Sequence, residues 1–126
     1  MDPFGIFYRR TMAPLLKRAE QEITTYDTKL ATMRQRKEDL LKRQVELWGV
    51  LNLDPELEKE YKAVAAEIAY IAKALLVIEA YLKPLRLSRY ICREQNRCDS
   101  LTLFVFSDPL KDLKGDTEKV PFWGSI

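Results

Sequence analysis

The sequence predicts a mainly all-α protein: a long antiparallel two-helix coiled-coil hairpin with a short strand-like segment and an aromatic C-terminal tail. Three observations carry this reading. Two series of apolar positions step alternately by three and four residues, a short link joins them, and the two series match each other level by level.

Helix one is expected over residues 12–52. Its seam runs Leu16, Ala19, Ile23, Tyr26, Leu30, Met33, Lys37, Leu40, Gln44, Leu47 and Leu51, with Lys37 and Gln44 as the polar exceptions. Polar residues in a seam cost stability but fix register and partner number, although a lysine there also snorkels its ammonium to water.

Helix two is expected over residues 55–96. Its seam is Leu57, Tyr61, Val64, Ile68, Ile71, Leu75, Ile78, Leu82, Leu85, Arg89 and Cys92. Pro84 lies inside this span and either bends or ends the helix, because proline removes a backbone donor. Asp54 is a good N-cap, Pro55 suits the first helical position, and Glu56 and Glu58 favour the positive end of the helix dipole.

The link Asn52-Leu53-Asp54-Pro55 is so short that the helices must be antiparallel neighbours. Facing residues then have numbers with a constant total. Leu47 with Tyr61, Leu40 with Ile68, Met33 with Leu75, Leu30 with Ile78 and Tyr26 with Leu82 all give 108. The outline is similar to that of prefoldin subunits, which are small antiparallel coiled-coil hairpins with strand segments. Where those proteins carry strands, Asn52 to Pro55 leave room only for a tight turn, so the family is not assigned.

The stretch Ala63–Leu82, AVAAEIAYIAKALLVIEAYL, has only three charges and no polar face. A membrane span is disfavoured, because Glu67, Lys73 and Glu79 fall roughly 120° apart around a helix and each costs on the order of 2.5 kcal/mol or more at the bilayer centre. Beyond the seam, a second stripe holds Ala63, Ala66, Tyr70, Ala74, Val77 and Tyr81, and a third holds Ala65, Ala69, Ala72 and Leu76. A helix apolar on every side needs cover from more than one neighbour. Three covers are conceivable: the chain's own tail, a second copy, or a different protein.

Residues 99–126 form the expected docking tail. Within it LTLFVF (101–106) reads as a strand with GIFY (5–8) as a candidate mate, Ser107-Asp108-Pro109 reads as the start of a short helical turn, and Phe122 and Trp123 read as an aromatic anchor. The expected partner-binding residues are therefore Ala66, Tyr70, Ala74, Val77, Tyr81, Phe122 and Trp123.

Charge is concentrated where the helices' far ends return to each other. Over residues 9–18 and 83–97, Arg9, Arg10, Lys17, Arg18, Lys83, Arg86, Arg89, Arg93 and Arg97 stand against Glu94 alone, in a chain of net charge +2. Arg9, Arg10, Arg86, Arg89, Arg93 and Arg97 are candidates for contact with nucleic acid or another polyanion. A solvated helix C-terminus, where cations are favoured, explains them equally well.

Length and composition fit one domain over residues 1–126, with apolar content of 47% and charged content of 32%. The two cysteines, Cys92 and Cys98, would point apart on a continuous helix and are read as a reduced pair, a disulfide requiring a local loop. Two cysteines in all are too few for a secreted disulfide scaffold, which suggests an intracellular, cytoplasmic protein. With no histidine there is no common general base, and neither a metal site nor a cofactor motif is recognised. The functional expectation is a non-enzymatic interaction or assembly subunit whose partner is itself or a larger complex. The alternative is a small regulator that binds nucleic acid through the basic end.

Overall fold

The structure is a computed structural model that describes residues 3–50, 52 and 54–113, apart from the side chains of 3–12 and 112. Two long helices, α1 (Pro3–Trp48) and α2 (Pro55–Gln95), pack against each other as a helical hairpin. They are followed by a short helix α3 (Asp99–Leu103) and a 3₁₀ turn at Lys111–Leu113. Among the described residues there is no strand, and no helix is long and apolar enough to cross a membrane.

The chain divides into two compact units, one of residues 1–29 with 79–108 and the other of residues 30–78 with 109–126. In the second unit, Leu30, Met33, Leu40 and Leu47 of α1 are buried, as are Val64, Ile71 and Ile78 of α2. In the first unit, Ala19, Ile23 and Tyr26 of α1 are buried, as are Leu82, Leu85 and Cys92 of α2. These are seam positions. Lys37 and Gln44 are half-buried within the seam.

Ion pairs and hydrogen bonds on the two sides of the seam fix its register. On one side Arg36 meets Glu67, Arg43 meets Glu60 and Tyr81 meets Glu22, pairs whose residue numbers total 103. On the other side Arg86 meets Asp27 and Arg93 meets Glu20, pairs that total 113. The expected seam total of 108 lies midway, as it must when the flanking positions of antiparallel heptads pair symmetrically.

The seam of α2 is turned slightly from its expected line. Ile68, Leu75 and Arg89 are only half-buried, and their neighbours Glu67, Ala74 and Ser88 are buried instead. α2 leans toward the side carrying the 103 pairs. There, in the second unit, the Arg36 fork neutralises Glu67, and in the first unit the tail covers Tyr81.

Helix boundaries differ from expectation at both ends of α1. α1 begins at Pro3 rather than near residue 12, so GIFY (5–8) is helical and cannot be a strand mate; proline is favoured in a first helical turn, where its missing donor costs nothing. α1 ends at Trp48 rather than 52, where Val50 N–H donates to the Leu47 carbonyl at 3.0 Å in a turn containing Gly49. α2 runs through Pro84 to Gln95, with the proline ring exposed. The expected cap holds: the Asp54 carboxylate accepts from Glu56 N–H at 2.9 Å.

The segment LTLFVF is not a strand. Residues 101–103 close α3, with Leu101 fully buried and the Thr102 hydroxyl donating to the Cys98 carbonyl at 2.8 Å. Residues 104–107 follow without regular structure, Phe104 and Phe106 half-buried and Val105 exposed. The surface they pack on is made of helix side chains, not of a neighbouring strand.

Candidate interaction surface

The surface of the second unit is built from the seam outward. On the 103 side, Arg36 Nε and Nη2 donate to the two Glu67 carboxylate oxygens at 3.0 and 3.1 Å, and Arg43 makes a similar fork to Glu60 at 2.7 and 3.0 Å. The fork holds the Glu60 carboxyl below its usual range. Glu67 is only 7% exposed, a charge at home in the interior because a planar guanidinium pairs with both its oxygens. This side is polar and internally satisfied.

The other side of the same unit is apolar and open. Trp48, Val45 and Leu41 of α1 are exposed, Val45 by 75% and Trp48 by 69%, and Leu76 of α2 is 73% exposed. Heptad spacing places Ala65, Ala69 and Ala72 of α2 on this side with Leu76. Ala69 is exposed, and Ala65 and Ala72 are half-buried. Trp48 leans on the Tyr61 ring at 6.0 Å between centroids, which fixes its position while leaving most of it in water. The third stripe recognised in the sequence is thus the open one.

Of the second stripe, Tyr70 is 5% exposed and Ala74 fully buried, while Val77 and Tyr81 are half-buried and Ala66 is exposed. Tyr70 and Ala74 thus belong to the protein's own interior and offer little to a partner. Phe122 and Trp123 lie outside the described residues.

In the first unit the tail supplies the cover for Tyr81. Phe104 meets the Tyr81 ring edge-on at 5.4 Å, Phe106 follows Phe104 at 5.1 Å, and the Arg18 guanidinium sits 4.4 Å from the Phe106 ring centre. Tyr81 Oη donates to Glu22 Oε2 at 3.0 Å. Burial, followed by this carboxylate, pushes the Tyr81 phenol up to about 12, and burial also raises Tyr26.

A phenol whose folded-state pKa is raised stays protonated after the unfolded chain has begun to ionise. Its stabilising contribution is complete below about pH 10 and is lost as the pH climbs through about 12. Absorbance titration at alkaline pH should show Tyr81 among the last phenols to ionise. Tyr81→Phe should flatten the fall in stability over that interval in urea melts, and an unchanged slope would contradict the assignment.

Cys92 and Cys98 form a disulfide, not the reduced pair expected. α2 stops at Gln95, Asn96 takes a positive φ of 53°, and the chain reverses so that the two Cα atoms lie 4.4 Å apart. Asparagine tolerates this left-handed conformation better than most residues. The bond ties the end of α2 to α3 and its buried Leu101, a local cross-link of the kind that contributes about 2 kcal/mol by loop closure.

Arg86 and Arg93 are engaged with Asp27 and Glu20, Arg89 is half-buried, Arg97 is exposed, and the side chains of Arg9 and Arg10 lie outside the described ones. Among the described residues no group of three or more acidic, cysteine or histidine side chains is placed to hold a metal.

No protein-family model, curated protein or solved structure matches this chain.

Proposed function

We propose that the protein is a non-enzymatic assembly subunit that docks through the open apolar side of its second unit. The observation that carries this is the exposure of Leu41, Val45 and Trp48 on α1 and of Ala69 and Leu76 on α2, uncharged residues that heptad spacing places on one side of the second unit. Large apolar patches are seldom left in water, and a tryptophan half-fixed against Tyr61 is the kind of anchor that dominates binding energy. The docking surface is therefore α2 with α1, rather than the second stripe with the tail.

The test is the native mass of the full chain in extract from its source cells. It should exceed the 14.8 kDa of one copy, and the double variant Val45→Asp, Leu76→Asp should elute as a single copy with unchanged helix content. A wild-type chain that travels alone in extract would overturn the reading.

A further inference from the structure

Resting on that docking surface, we infer that its occupant is a second copy of the chain, the two hairpins standing side by side about a two-fold axis parallel to their helices, with both turns at the same end. The first ground is shape. The large residues of the patch, Leu41, Val45 and Trp48, are on α1, whereas α2 offers Ala65, Ala69 and Ala72 at the same levels and a large residue only at Leu76.

The Arg36–Glu67 and Arg43–Glu60 pairs fix the register of this unit, and heptad spacing then puts Trp48 level with Ala65 and Leu41 level with Ala72 on the opposite side. A two-fold axis along the helices lays α1 of each copy on α2 of the other without changing those levels. Every large α1 residue then meets a groove floored by alanine, and the same contact is made twice, as a closed two-fold interface requires. A two-fold axis across the helices would instead set α1 on α1, bulk against bulk.

The second ground is charge. No charged residue lies among the seven patch positions, so the patch gives an acidic or basic partner little to recognise; the one charge a copy brings to it is Glu38, level with Leu76 and already paired with Lys42. The third is area. The open surface of the four large residues is about 500 Å² per copy, and the alanines and bordering residues extend it toward the roughly 800 Å² per partner typical of stable interfaces. Neighbouring helices in the resulting four-helix arrangement are all antiparallel, so their dipoles oppose favourably.

Sedimentation of the purified full chain should give twice 14.8 kDa. Ala69→Glu should raise the dissociation constant at least a hundredfold while leaving helix content unchanged, since glutamate is a good helix former at an exposed site. Geometry is read by mixing a Val45→Cys chain with an Ala69→Cys chain under mild oxidation. The mixture should cross-link strongly and either variant alone weakly; the reverse would overturn the two-fold arrangement. A purified chain that stays monomeric at every concentration would overturn self-pairing. If that same chain travels as a larger species in extract, docking on a different protein stands; if it is alone there too, both readings fall.

Discussion

Leu82→Ala should destabilise the protein by about 3 kcal/mol, whereas Leu87→Ala should change stability by less than about 0.5 kcal/mol. The two leucines are five residues apart on the same helix and in the same unit. Leu82 is fully buried against the α1 seam, and its truncation removes both transfer energy and the packing of its neighbours. Leu87 is 59% exposed, so its truncation removes little from contact with the protein. Urea unfolding followed by circular dichroism at 222 nm reads both. Equal costs for the two variants would mean that α2 is rotated from the orientation described, and with it the division into covered and open sides.

That contrast marks where the sequence is legible and where it is not. α1 alternates apolar seam residues with charged ones, so its buried side follows from spacing, and Ala19, Ile23, Tyr26, Leu30, Met33, Leu40 and Leu47 are all buried as expected. α2 is apolar on every side between 63 and 82, and spacing alone cannot separate seam from surface there. The structure resolves it by burying Tyr70 and Ala74 and leaving Ala69 and Leu76 exposed. The signal that could have found this was already present: Glu67 and Arg36 total 103, which marks one side as the ion-paired one and leaves the other to the alanines. The disulfide was hidden by the assumption of a continuous helix through Asn96, a residue whose tolerance of positive φ is the clue to the break.

The pair that turns α2 makes the second prediction. Arg36→Ala should destabilise the protein by about 2 kcal/mol, above the usual worth of a surface ion pair and below the loss from a fully buried one, because the Arg36 side chain is 36% exposed and Glu67's only 9%. The cost comes chiefly from what is left behind, a carboxylate inside the helix pair with its two-point partner gone. Glu67→Leu acts on the other member and should be neutral or stabilising. It removes the buried charge, adds apolar surface to a helix that already packs tightly at Val64, Ile71 and Ala74, and leaves Arg36 able to reach water. In the Glu67→Leu background, Arg36→Ala should cost less than about 0.5 kcal/mol, so the double-mutant cycle closes with a large coupling. A substantial loss from Glu67→Leu alone would mean that the ion pair stabilises the fold outright. The expected opposite signs would mean that its contribution is to orientation: it selects which side of an all-apolar helix faces inward and thereby which side is left for a partner.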